Sequence, residues 1–111
     1  MRNHGFLWLG RNGWSLSPVY DLNPTPTDIK ARILTTNIDL DEGTCSIDLV
    51  ESVADLFGLP LVTARDIIRE VGVAVESWRA VAAAVGAKPS EINRMASAFE
   101  HEDLEKARAM S

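Results

Sequence analysis

The sequence predicts a mainly α-helical chain with a small β-hairpin at one end, and three observations predict it. Two short runs rich in aromatic and branched residues, 6–9 and 14–16, flank four residues that begin and end in Gly, which is a hairpin signature. From residue 46 onward apolar residues recur at the three-and-four spacing of helices with one buried face. Gly58, Pro60, Gly86 and Pro89 punctuate that pattern into three helices. The chain divides accordingly into a hairpin region over 1–27, an extended or irregular linker over 28–45 and a three-helix bundle over 46–111. With 111 residues, 46% of them hydrophobic and 24% charged, it has the size and composition of one folded domain.

In the hairpin, Phe6 to Leu9 pairs with Trp14 to Leu16 across the turn Gly10-Arg11-Asn12-Gly13. Pairing draws the flanking residues together, so Asn3 and Asp21 converge although they lie far apart in sequence. Both carry hard oxygen ligands suited to Mg²⁺, and a site built from one or two protein groups takes its other ligands from phosphate and water. An Asn and an Asp holding ions on nucleotide phosphates is the arrangement of phosphoryl transfer. The competing reading is local: Asn and Asp are common at turns because their side chains bond nearby backbone, and on residue types alone that reading leads. Trp8 and Trp14 are expected to pack across the strands rather than to stack bases. His4 adjoins the motif as a surface histidine.

Pro24 and Pro26 donate no backbone hydrogen bonds and restrict their predecessors, which predicts an extended loop over 23–27. Asp28 to Leu40 is compatible with a short helix capped by Asp28 or with extended chain; the β-branched Ile33-Leu34-Thr35-Thr36-Asn37-Ile38 favours extended. Asp39, Asp41 and Glu42 before Gly43 fail the spacing of an EF-hand loop and are expected to form an exposed acidic turn. Cys45, the single cysteine, excludes an internal disulfide and any multi-cysteine metal site.

The first helix is expected over about Ile47 to Phe57, with Ser46 as N-cap, Asp48 in the first turn and Gly58 as the stop. The second, about Thr63 to Val85, carries a continuous apolar stripe from Ala64 through Ile68, Val71, Val75 and Trp78 to Val85 and is the structural spine. Gly72 inside it costs roughly 1 kcal/mol against Ala, which implies close packing against the backbone there. The third is expected to start at Ser90 and to run to about Ala109, with Ile92, Met95, Phe99 and Leu104 on one side and His101 on the exposed face.

The motifs at the hairpin resemble those of the HipA family of serine/threonine protein kinases, the toxin halves of bacterial toxin–antitoxin pairs. In that family a catalytic loop of the form Asp-x-His-x-(Lys/Arg)-Asn is followed, one hairpin later, by Pro-x-Tyr-Asp. Arg2-Asn3 matches the end of the loop, and Ser17-Pro18-Val19-Tyr20-Asp21 matches the second motif in order and distance. The long helix with its mid-helix Trp78 extends the likeness over nearly the whole chain. The resemblance implies the C-terminal part of a kinase C-lobe, with Asn3 and Asp21 as magnesium ligands, Arg2 approaching a phosphate, and Mg²⁺ and ATP as cofactors. It also implies that the catalytic-base Asp and the His of the loop lie upstream of Arg2, with the N-terminal lobe. The chain is therefore expected to be a C-terminal fragment without kinase activity of its own. The alternative is a non-enzymatic helical module that contacts another protein: the missing lobe, an antitoxin-like partner or a second copy of itself.

The charge pattern narrows the partners further. Residues 1–38 carry four basic and two acidic residues, which leaves −7 of the net −5 on the remainder. Helix two, the Lys88-Pro89 turn and helix three superficially resemble a helix-turn-helix, but Glu91, Glu100, Glu102, Asp103 and Glu105 on the presumed reading helix would repel DNA. No stretch approaches the roughly 20 apolar residues of a membrane span, and no signal-peptide core is present. Cytoplasmic localisation is expected.

Overall fold

A computed structural model describes residues 3–111; the reading of Arg2 as a phosphate contact falls on a residue outside those described. Two strands, β1 (Phe6–Trp8) and β2 (Trp14–Leu16), pair antiparallel in the register Phe6 with Leu16, Leu7 with Ser15 and Trp8 with Trp14. A 3₁₀ turn over Gly10–Asn12 joins them. Gly10 and Gly13 take φ of 67° and 83°, the left-handed region that glycine enters without steric cost. Leu9 N–H donates to the Gly13 carbonyl at 2.7 Å and closes the turn.

Residues 28–45 are irregular, held by isolated bridges between Ile33 and Thr44 and between Asp39 and Glu42. The acidic turn at 39–42 is exposed, as expected. Five α-helices follow among the described residues: α1 (Ile47–Ser52), α2 (Leu61–Glu76), α3 (Trp78–Ala84), α4 (Pro89–Phe99) and α5 (Glu102–Ala109). The chain is mainly helical with a two-stranded hairpin, in line with the sequence expectation.

The three expected helices are each interrupted, and each interruption has a local cause. Ser46 does cap α1, its Oγ accepting the Leu49 N–H at 3.4 Å, but after Ser52 the chain tightens into a 3₁₀ turn over Ala54–Phe57. Gly58 ends that turn at φ 69°. The spine breaks at Ser77, whose hydroxyl donates back to the Ala74 carbonyl at 3.0 Å, a contact that bends helices. The helix expected to start at Ser90 starts one residue earlier. Pro89 occupies its first position, where a missing N–H costs nothing, and the Glu91 carboxylate accepts the Lys88 N–H at 2.7 Å. Its expected continuation to Ala109 stops at Glu100, which leaves helical geometry with ψ 93° and grips Arg79 at 2.5 and 2.9 Å.

This last break sends α5 back across α2, and the core forms at that crossing. Ala64, Ile68 and Gly72 of α2 are buried with Leu104 and Ala107 of α5. A methyl group added at Gly72 would lie 2.8 Å from the Ala107 Cβ and 3.3 Å from backbone atoms of Ala107 and Arg108. The close approach inferred from the interior glycine is therefore the α2–α5 crossing itself. Trp78 is buried too, stacked on Phe99 at 4.4 Å between ring centroids. The apolar stripe is only half covered: Ile67, Val71, Val81 and Val85 remain exposed. The shape is correspondingly open, with a radius of gyration of 16.1 Å where a compact chain of this length has roughly 13 Å.

Candidate functional site

The hairpin register sets the site. Beyond the last strand pair, Ser17 N–H donates to the Gly5 carbonyl at 2.8 Å and Gly5 N–H donates to Ser17 Oγ at 3.2 Å. Further out, the Tyr20 hydroxyl donates to the His4 carbonyl at 3.1 Å. The two flanks are thus tied together, and the next tie joins the two residues singled out from sequence: Asn3 Nδ2 donates to the Asp21 carbonyl at 3.1 Å. The convergence expected from pairing the strands is what the backbone produces.

Both residues also adopt an uncommon backbone conformation. Asn3 has φ 61° and Asp21 φ 56°, and among the described residues these are the only non-glycine positions in the left-handed region. Asn and Asp tolerate that region better than other side chains, but it still costs free energy, and such costs gather at functional sites. The Asp21 carboxylate is steadied by Asn23, whose Nδ2 donates to Asp21 Oδ1 at 2.7 Å. Since Asn3 Nδ2 is already engaged, its Oδ1 is the end left for a cation.

Asn3 and Asp21 line one cavity of about 770 Å³, within the size range of small-molecule sites. Its polar rim adds Asn23, Thr25 and Lys30, and its floor is the apolar surface of α1, the 3₁₀ turn and α2, including Val53, Phe57 and Ile68. Sequence reasoning assigned no role to Asn23, Thr25 or Lys30. Asn23 lies in the stretch that continues the Pro-x-Tyr-Asp motif and was within reach; Lys30 depends on how the linker folds and had no signal.

The donor set fits a hard divalent cation: one amide oxygen and one carboxylate on a shared cavity. Among the described residues no cluster of three or more His, Cys, Asp or Glu side chains is placed to hold a metal. A cation here would therefore complete its shell with phosphate and water.

A second polar cluster, Arg32, His101 and Asp103, was misjudged from sequence. Asp103, counted among the acids of the presumed reading helix, is buried, ion-paired with Arg32 and accepting the Ile47 N–H at 3.1 Å. Burial raises its carboxyl, but the Ile47 amide and the Arg32 guanidinium outweigh burial and hold it below the usual Asp value. His101, expected on an exposed face, is half-buried, with its Nδ1 shielded and unbonded. Burial first, and the Arg32 charge second, push it below the usual His value. This cluster ties the linker, α1 and α5 together and shares no residue with the rim around Asp21.

The sequence matches the family described as HipA-like C-terminal domain over residues 1–100. The chain belongs to that family. Comparison with curated proteins and with solved structures gives no match. The HipA family are kinases that use Mg-ATP, and the HipA-like domain here has no helix long and apolar enough to cross a membrane among its described residues.

Proposed function

We propose that this HipA-like domain supplies one side of the Mg-ATP site of a serine/threonine protein kinase, with Asn3 and Asp21 as magnesium ligands. The observation that carries the reading is the coincidence at these two residues. They are hydrogen-bonded to each other, they line the same cavity, and among the described residues they alone hold non-glycine backbone in the left-handed region. Left-handed backbone at non-glycine residues gathers at functional sites, which supports the reading.

When bound, Mg-ATP supplies the phosphoryl group and neutralises the charge that develops as it transfers. Asn3 presents its amide oxygen from one flank of the hairpin, and Asp21 presents its carboxylate from the other, oriented by Asn23. Titration calorimetry of the chain with Mg-ATP tests this directly. Binding is expected, weakened tenfold or more by Asp21→Ala. Binding that ignores the substitution would remove Asp21 from the site.

A second reading has its own support. All six strand residues are exposed, Trp8 and Trp14 at 63% and 66%, and apolar residues of α2 and α3 are exposed as well. Apolar surface on this scale marks contact with another protein, which in this reading is a kinase lobe, an antitoxin-like protein or a second copy. Sedimentation at several concentrations tests the last: mass rising with concentration supports self-association, and a strict monomer throughout counts against it.

A further inference from the structure

Among the described residues the rim of the Asn3–Asp21 cavity carries one basic side chain, Lys30, and the way the linker is anchored explains why it is there. The turn over 27–30 is closed by Ile29 and Lys30 N–H groups donating to the Pro26 carbonyl at 3.0 and 3.2 Å. That turn is then fastened to α4 twice. Thr27 N–H donates to Ser97 Oγ at 3.1 Å, and Arg94 grips the Asp28 carboxylate through both guanidinium nitrogens, each at 3.1 Å. Pro26 is buried beneath it. The segment leading from the metal ligands to Lys30 is thereby pinned, so the lysine is held on the rim of the cavity that Asp21 lines.

Its charge is also uncommitted. Arg32, two residues on, is engaged by Asp103, and Arg94 by Asp28, while among the described residues no carboxylate pairs with Lys30. Asn3 and Asp21 between them contribute a single negative charge, which attracts a divalent cation, and one such cation leaves part of the negative charge of a bound triphosphate unbalanced. A compact ammonium lining the same cavity does what those two residues cannot, by meeting phosphate oxygens directly.

We propose that Lys30 is a phosphate-contacting residue of this site and that it binds the polyphosphate of a nucleoside triphosphate, with the magnesium held by Asn3 and Asp21. The proposal rests on the reading of Asn3 and Asp21 as metal ligands but makes a separate claim, because an ammonium recognises phosphate with or without magnesium. The 111-residue chain, Lys30→Ala, Lys30→Arg, Asp21→Ala and the charge-matched control Lys88→Ala are titrated with Mg-ATP and, in chelator, with inorganic tripolyphosphate. Lys30→Ala is expected to weaken both ligands about tenfold, the contribution of one charge-assisted hydrogen bond. Lys30→Arg is expected to retain most of the affinity, and Lys88→Ala to change neither. Asp21→Ala is expected to weaken Mg-ATP alone.

The outcomes separate the two claims. Mg-ATP binding that requires Asp21 but is unchanged in Lys30→Ala overturns the role of Lys30 and leaves the metal ligands standing. Tripolyphosphate binding that requires Lys30, with no effect of Asp21→Ala on Mg-ATP, supports Lys30 and removes the metal reading. Affinity lost equally in Lys30→Ala and Lys88→Ala means non-specific charge and overturns the proposal, as does a chain that binds neither ligand.

Discussion

The hairpin and the helical body of this chain are held together by different physics. In the body, α5 lies on α2 so closely that Gly72 has no room for a side chain, and Asp103 is buried on an ion pair and a helix-terminal amide. In the hairpin every strand side chain is exposed, and order comes from hydrogen bonds across the flanks and from left-handed backbone at Asn3 and Asp21. Two-stranded hairpins are marginal by themselves in water. The candidate ligands thus sit on the less stable region, positioned by local geometry, while the region with the core supplies only the cavity floor. Substitutions should divide along the same line, moving stability in the body and ligand binding at the hairpin.

The largest expected effect is at the crossing. Gly72→Val places its Cβ 2.8 Å from that of Ala107, with backbone atoms of α5 at 3.3 Å, so the helices have to separate. Overpacking of this kind costs about 3 kcal/mol, and valine gives back little helix propensity. Urea unfolding followed at 222 nm is expected to show the midpoint fall accordingly. An unchanged midpoint would mean that α5 is not part of the cooperative core.

Acid should loosen the same region in two steps. Both Asp103 and His101 have folded pKa values below their ordinary 3.8 and 6.5. Between the folded and ordinary values the unfolded chain binds more protons, so stability rises with pH through each window. For His101 the contribution is complete above about 6.5 and declines as the pH falls below it; for Asp103 it is complete above 3.8 and declines below that. Urea midpoints across pH 8 to 3 are expected to drop in both ranges. His101→Gln should flatten the first drop. Asp103→Asn should flatten the second, and at neutral pH should cost ~2 kcal/mol by weakening the bonds to Arg32 and Ile47. A midpoint that does not move between pH 8 and 5 would remove His101 from this account.

The contrast between the regions also explains what the sequence revealed. The hairpin and the convergence of its flanks at Asn3 and Asp21 were legible because their signals are local: glycines bounding a turn and aromatic runs on either side of it. Gly72 was legible for a similar reason, since an interior glycine in a strong helical pattern has few explanations. The interruption at Glu100 was not, because it depends on partners elsewhere: Glu100 turns out to meet Arg79, and α5 turns back to meet Gly72. His101 was read as exposed, and the burial of Asp103 was missed, for the same cause. Nothing in their own neighbourhood announces Arg32, which comes from the other end of the chain. Lys30 belongs with them, since only the anchoring of 27–30 on α4 brings it to the rim.

The smallest effect is the most direct test of whether the two regions are separate. Trp8 and Trp14 face each other in the strand register with ring centroids 5.2 Å apart, yet both are largely exposed. Trp14→Ala removes that pair, worth about 0.5 kcal/mol on an exposed hairpin, and touches nothing in the α2–α5 core. The helical unfolding midpoint at 222 nm is expected to stay within error of the parent, while the coupled-tryptophan signal in the circular dichroism disappears and Mg-ATP binding weakens as the flanks of the hairpin loosen. A helical midpoint that falls together with the tryptophan signal would mean that hairpin and body unfold as one unit. The left-handed conformations at Asn3 and Asp21 would then be maintained by the core rather than by the hairpin's own hydrogen bonds.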